Sequence, residues 1–294
     1  MTVFLQLILS GLMVGSIYSL IALGFVLIYK SSSIINVAQG QMLMVGAFTA
    51  WTFIVGFSLP VPLALLLTVL VAMGLGILIE RFALRPLIGQ PILAVVMMTI
   101  ALAALLDGIT LLFWGGDLKS LPEILPRAPV NLCGILLSQQ HIFSFALAMG
   151  LLAGFSLFFR YTRLGLAMRA TAEDHQIAQS LGVNVKRVFA MAWIIAAVVS
   201  ALGGVLLGSI NGINLSLALL GLRVLPVVLL GGLESIPGAI IAGPIIGILE
   251  NLVAVYLDPL VGGGVQEVAP YLILVLVLLF KPYGLFGLKR VERV

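Results

Sequence analysis

Charged side chains make up 9% of this 294-residue chain and hydrophobic ones 62%, so every polar cluster is a candidate for chemistry. The densest lies between Arg160 and Arg187, where Arg160, Arg163, Arg169, Lys186 and Arg187 surround Glu173 and Asp174. Mixed charge of that kind suits the grip of another protein. Two charges, Asp107 and Arg223, stand inside apolar runs, where a charge is costly and marks function by default; a pairing between them is one way to hold both. A third cluster is uncharged. Ser31, Ser32, Ser33, Asn36, Gln39 and Gln41 offer hydroxyls and amides that could hydrogen-bond a polar solute.

Covalent chemistry has little raw material. His141 and His175 are the only histidines, and neither has another His or Cys at metal-ligand spacing. The Gly-Lys dipeptide that a P-loop requires does not occur, so the chain is not expected to bind ATP in that way. We find no enzyme motif. Cys133 is the single cysteine, which leaves no intrachain disulfide.

The elements that must position these groups follow from composition. Soluble domains carry about 25% charged residues, so this chain is expected to be an integral membrane protein. A β-barrel would alternate polarity over ~10-residue segments; here the apolar runs are continuous and helix-length, which predicts an all-α polytopic fold. The net charge of +4 sits at the ends of apolar runs and reads as topology signals and lipid headgroup contact, not nucleic-acid binding. The first 29 residues are uncharged and lack a basic leader segment, so they are expected to form a retained first span.

A spanning helix needs ~20 mostly apolar residues. Such runs occupy Leu5–Tyr29, Gly40–Phe57, Val61–Ile79, Pro91–Phe113, His141–Phe159, Val188–Ile210, Val224–Leu233, Pro237–Leu257 and Val268–Phe280. The seventh and ninth are short, so the sequence predicts eight or nine spans. With nine, Lys30, Arg81 and Arg85, the 160–187 loop, and Lys281 with Lys289, Arg290 and Arg293 fall on one face. The positive-inside rule then places the N-terminus outside and the C-terminus in the cytoplasm. The longest outer loop, Gly115–Gln140, holds Asp117, Lys119, Glu123 and Arg127 among Pro122, Pro126 and Pro129. It predicts a cap with a short hairpin around Val130–Leu137, either a docking surface for an external partner or a plain connector.

Within the cytoplasmic loop, Leu164, Met168, Thr171, His175 and Ala178 recur at helical spacing, with Arg169, Glu173, Gln176 and Ser180 opposite and Gly182 as the stop. That predicts one amphipathic helix. Its apolar face is built from small residues, which suits a protein groove better than a bilayer surface. The joins Ser31–Gln41 and Gly231–Gly238 read as candidate breaks near the membrane middle, where transport sites gather; the first could equally be an ordinary turn after Lys30. Glu80, Glu250 and Asp258 lie near span ends, where snorkelling and hydration suffice. The pathway candidates are therefore Asn36, Gln39, Gln41, Asp107 and Arg223.

Three blocks carry a family resemblance. The loop RYTRLGLAMRATAED at residues 160–174, continuing through Ala178 and Leu181–Asn184 to Trp193, resembles the cytoplasmic loop of branched-chain amino acid ABC importer permeases of the LivH type. Gly15–Gly24 with Asn36–Met42 and Gly46–Phe48 is similar to the family's start, and Leu230–Ala239 to a later block. The Leu-Pro that closes the general importer loop signature is missing, and Glu234 stands where these permeases often have Gly.

The resemblance implies a single transmembrane permease domain in the bacterial inner (plasma) membrane, working by alternating access. Its coupling segment would be Ala170–Gly182, with Arg169, Ala170, Glu173, Asp174, Ala178 and Gly182 against an ATPase groove. The implied partners are a second homologous permease subunit, two ATP-binding cassette subunits and an external substrate-binding protein. ATP would be bound by the partner subunits only, and no cofactor by this chain. The implied cargo is a branched-chain or other neutral amino acid, with urea or short amides as an alternative. From the residues alone, an ion-coupled transporter or channel stays open. It would rest on Asp107 as its acidic site.

Overall fold

Residues 2–87, 89–122, 129–132 and 135–287 are described by a computed structural model. The first helix, α1 (Thr2–Ser32), is 31 residues long, about 46 Å at 1.5 Å per residue, more than a ~30 Å hydrocarbon layer requires. It is apolar on every side, the mark of a helix buried all round, and from Gly15 to Ile28 every residue is buried. The other helices pack around it.

The chain continues through α2 (Gln39–Trp51), which ends in a π-helical turn at Thr52–Gly56, and α3 (Val61–Leu78), extended by a π turn Ile79–Leu84 and a 3-10 turn Arg85–Leu87. Next come α4 (Ile92–Trp114) and a two-stranded hairpin, β1 (Pro129–Leu132) with β2 (Ile135–Ser138). The strands are antiparallel, with Val130 opposite Leu137, so the expected hairpin forms. Then follow α5 (Gln139–Tyr161), α6 (Arg163–Glu173), α7 (His175–Ser180) and α8 (Val185–Asn211). The chain closes with α9 (Leu217–Arg223), α10 (Leu225–Gly231), α11 (Ile236–Tyr256), α12 (Asp258–Val261) and α13 (Val265–Phe280).

Among the described residues, six helical stretches are long and apolar enough to cross a membrane: α1, Val61–Leu87, α4, α5, α8 and α11. Leu217–Gly231 and α13 are apolar but shorter. All nine apolar runs of the sequence become helix, though the run at Val224–Leu233 is only the second half of a broken pair that begins at Leu217. Outward faces of α3, α4 and α13 carry exposed Leu70, Leu112, Leu276 and Phe280, as a lipid-facing surface requires.

Small residues set the tightest packing. A Cβ added to Gly15 of α1 would lie 2.4 Å from the Gly243 carbonyl oxygen of α11, and one on Gly11 would lie 2.6 Å from that of Gly247. Between membrane helices, where lipid is as apolar as Leu, such close backbone approach is a main source of affinity. Ser19 adds a hydrogen bond from its hydroxyl to the Ile240 carbonyl at 3.1 Å.

Candidate functional site

The loop after α1 does not stay at the helix end. Ser33 takes a left-handed φ of 56°, and the chain turns back so that the Gln39 side chain lies against Gly24 of α1, where a Cβ would sit 2.2 Å from Gln39 Nε2. Gly24 is eight residues before Ser32, so α2 starts roughly 12 Å inside the end of α1. Ser31–Gln41 thus folds the chain back along α1 instead of carrying it away from the helix end. Irregular backbone at that depth is tolerated only when protein satisfies it. Here the Ala38 N–H donates to Asn36 Oδ1 at 3.1 Å and the Val37 N–H to Thr99 Oγ1 at 3.4 Å.

The sequence-derived amides meet at this break. Asn36 Nδ2 donates to Gln39 Oε1 at 2.9 Å, and Gln39 Nε2 donates to Ser200 Oγ on α8. Gln41 Nε2 donates to Asp107 Oδ2 on α4 at 3.3 Å. Gln41 Oε1 and Thr110 Oγ1 are buried without a hydrogen-bond partner. Two separate polar contacts therefore tie α2 to its neighbours: Asn36, Gln39 and Ser200 on the α8 side, and Gln41 with Asp107 on the α4 side.

Arg223 stands apart from that seam. Its Nη2 donates to Glu267 Oε1 on α13 at 2.7 Å, so Asp107 and Arg223 do not pair: each has another partner. Arg223 marks the gap between α9 and α10, where Pro226 starts the second half-helix. Val224 itself keeps a helical backbone (φ −77°, ψ −16°), so α9 and α10 form one kinked apolar stretch, Leu217–Gly231. The join Gly231–Gly238 is instead a tight helix-to-helix turn at the Lys30 end, its backbone held by Leu285 and Phe286 N–H donating to the Leu230 and Gly231 carbonyls.

The span-end reading of two acidic residues also changes. Glu250 is 4% exposed and accepts a hydrogen bond at 2.8 Å from Tyr18 on α1, while its Oε1 has no partner. Glu80 is buried at the base of α3, both oxygens taken by Arg85 Nε and Nη2 at 3.0 Å. Asp258 Oδ1 accepts from the Gln266 N–H. Glu250 was legible in principle, since it lies seven residues inside the end of its apolar run, about 10 Å deep. Tyr18 and Glu267 gave no such signal.

The cytoplasmic-loop segment folds as two helices instead of one. Asp174 adopts an extended backbone (φ −155°, ψ 120°) and caps α7, its Oδ1 accepting from the Gln176 and Ile177 N–H groups at 2.7 and 2.9 Å. A capping Asp offers the backbone an alternative to continuing the helix, and periodicity does not reveal that. Gly182 has φ 85° and ends α7 as expected. Met168, Thr171 and Ala178 face inward. Arg169 also turns inward, donating to the Phe159 carbonyl and lying over the Phe159 ring at 5.5 Å. Glu173, Asp174 and Gly182 are exposed, and so are Ile177 and Leu181, two large apolar side chains not singled out by spacing.

Residues 7–280 match the family model described as branched-chain amino acid transport system / permease component. The chain belongs to that family of permeases. It is 33% identical over 305 residues to the high-affinity branched-chain amino acid transport system permease protein BraD of Pseudomonas aeruginosa, covering 99% of this chain and 98% of BraD. LivH of Escherichia coli K12, a protein of the same description, is 33% identical over 306 residues, with the same coverage. The probable LivH of Methanocaldococcus jannaschii is 31% identical over 302 residues, covering 98% of this permease and 95% of that protein. In fold, the permease resembles a chain of PsaBC from Streptococcus pneumoniae solved in complex with Fab. The TM-score is 0.50 at 15% identity, covering 93% of this chain and 90% of that one. The permease is thus a multi-pass membrane protein and a transport subunit.

Proposed function

We propose that the chain is the transmembrane permease subunit of an ATP-driven importer for branched-chain or other neutral amino acids. The near full-length match to named permeases of that system carries this reading. In this arrangement an external binding protein delivers the amino acid and two ATP-binding cassette subunits hydrolyse ATP. Their closure moves α6 and α7, and two permease subunits rock between outward- and inward-open states. The chain itself does no covalent chemistry.

We assign nine passes, with α2 and α13 incomplete and α9–α10 together as one, the N-terminus outside and the C-terminus in the cytoplasm of an inner-membrane protein. Support comes from the clustering of basic segments at one end. Ser32, Arg85, Gln179 and Val185 line one cavity of about 350 Å3. Tyr29, Pro282 and Tyr283 line another of about 270 Å3. The ends of α1, α3 and α13 and the 160–187 loop are thereby brought to the same side, as the positive-inside rule requires. Lys289, Arg290 and Arg293 lie outside the described residues, as do Glu123, Arg127, Pro126 and Cys133.

The coupling residues then divide by exposure. Glu173, Asp174 and Gly182, with Ile177 and Leu181, form the outer surface for an ATPase groove. Arg169, Ala170 and Ala178 hold the segment to the membrane helices. Asn36, Gln39, Gln41 and Asp107 line or shape the passage. The test is purification of the tagged chain in mild detergent, identification of its companions, and ATP-dependent leucine uptake by the assembly in proteoliposomes. Two ATPases, a second permease and uptake that stops without ATP are expected. A chain that purifies alone and drives uptake on an ion gradient overturns the proposal.

A further inference from the structure

The ion pair between Arg223 and Glu267 lies away from the Lys30 end of the helices, on the α9 and α13 segments. Tyr29 of α1, Leu229 of α10 and Leu278 of α13 line one cavity and so mark a common level. Glu267 is eleven residues up α13 from Leu278, about 16 Å along the helix. Arg223 is six residues up from Leu229, and its long side chain extends further. Both charged ends fall well inside a hydrocarbon layer ~30 Å thick.

The pair is nonetheless open to the surroundings: the Glu267 side chain is 66% exposed and that of Arg223 24%. Ionisable groups in membrane segments face a bundle interior or a water-filled cavity. A charged pair on a membrane helix that stays open fits a face turned toward water, as the wall of a passage shared with a second membrane subunit would be. The pair also stands at the kink that Pro226 puts between α9 and α10, where an Arg side chain can leave the helix packing.

We propose that Arg223 and Glu267 form a transient site for a zwitterionic amino acid in that passage, the guanidinium holding the carboxylate and the carboxylate holding the ammonium group. In the empty chain the two residues satisfy each other, so a zwitterion exchanges one ion pair for two and leaves no charge unpaired. This assignment rests on the reading of the chain as an amino acid importer permease.

The experiment uses the assembled complex in membranes, with the natural Cys133 replaced by Ser. A single cysteine is introduced by Glu267→Cys, by Tyr271→Cys one turn further along the same exposed face, or by Leu70→Cys on the outward side of α3. A charged, membrane-impermeant methanethiosulfonate is the probe. Labelling at positions 267 and 271 is expected to outpace labelling at position 70. Leucine is expected to slow labelling of Tyr271→Cys, and the leucine concentration needed should rise roughly tenfold or more when Arg223→Gln or Glu267→Gln is added. That is the loss of one charge-assisted hydrogen bond. Should one neutral variant fail to assemble, the other gives the same reading.

Labelling at 267 and 271 no faster than at 70 overturns the passage wall. Fast labelling that leucine never slows, or slows equally in the neutral variants, overturns the zwitterion site. ATP-driven uptake in the same vesicles is scored separately. Its absence in the unsubstituted complex defeats the importer reading, while the labelling still decides whether this face is wet.

Discussion

Gln39 of α2 occupies the space that Gly24 of α1 leaves open, its Nε2 lying 2.2 Å from where a Cβ on Gly24 would be. The same amide reaches Ser200 of α8, and its oxygen accepts from Asn36. One missing methyl group thus allows three helices to share a polar seam inside an apolar protein.

Gly24→Ala should expel Gln39 and leave Ser200 and Asn36 without their partner, at a cost of about 1–3 kcal/mol for a buried polar group left unpaired. Thermal unfolding in detergent measures this. Adding Gln39→Ala to Gly24→Ala removes the clash but still leaves Ser200 and Asn36 without that partner. It should therefore recover only the part of the loss due to the clash, and should not restore uptake. If Gly24→Ala alone matches the parent in both assays, the seam has no role.

Tyr18 and Glu250 make a second buried contact, with sharper consequences. Tyr18→Phe leaves the Glu250 carboxylate without its hydrogen bond, and Glu250 Oε1 already has none. Breaking one side of a buried polar pair that includes a charge costs more than replacing both sides with apolar groups. Tyr18→Phe should therefore destabilise by about 1–3 kcal/mol or more, and the double variant Tyr18→Phe with Glu250→Leu should be more stable than Tyr18→Phe alone. Simple additivity of the two changes would contradict the coupling.

These contacts show where the sequence was legible. Long apolar runs named α1 to α5, α8, α10, α11 and α13 because membrane burial demands continuous hydrophobicity, while α9 and α12 lay outside those runs; Lys30 and Arg85 marked the end that α1 and α3 share. Asn36, Gln39, Gln41 and Asp107 stood out as polar groups in apolar surroundings, and the fold pairs Asn36 with Gln39 and Gln41 with Asp107. Partnership was not legible. Asp107 meets Gln41 because of how α4 lies on α2, and Arg223 meets Glu267 because of how α9 lies against α13, which no local pattern encodes. The break at Asp174 was hidden for a different reason: a capping side chain interrupts a helix without disturbing its apolar period.

The glycine seam between α1 and α11 gives a test with an internal control. A side chain at Gly15 meets backbone atoms of α11, which cannot move aside as a flexible side chain could, so Gly15→Val should abolish stable assembly. Gly150 of α5 has nothing within 4 Å of its would-be Cβ. Gly150→Ala should be neutral or stabilise by about 0.5–1 kcal/mol, as Ala does over Gly within a helix. Fluorescence-detected size exclusion of tagged variants separates the two outcomes. Equal behaviour would mean the seam is not the main contact.

Asp174 poses the question of whether the coupling segment acts through charge or through shape. Its side chain caps α7, and α7 holds Ile177 and Leu181 outward, 60% and 76% exposed. Asp174→Asn keeps a capping oxygen and removes the charge, whereas Asp174→Ala loses the cap, about 1 kcal/mol of helix stability. If the segment docks through the apolar side chains that α7 presents, Asp174→Asn should keep ATP-coupled uptake while Asp174→Ala lowers it. Ile177→Asp and Leu181→Asp should then uncouple hydrolysis from uptake in a protein that still folds. If charge is the contact, Asp174→Asn fails as badly as Asp174→Ala, and reversal of Glu173 and Asp174 to Lys uncouples while Ile177→Asp is tolerated. Normal transport by both the Lys pair and the Asp variants would remove α7 from the coupling path. The comparison needs ATP hydrolysis and uptake measured on the same reconstituted complexes, because a folding defect lowers both together and uncoupling lowers only uptake.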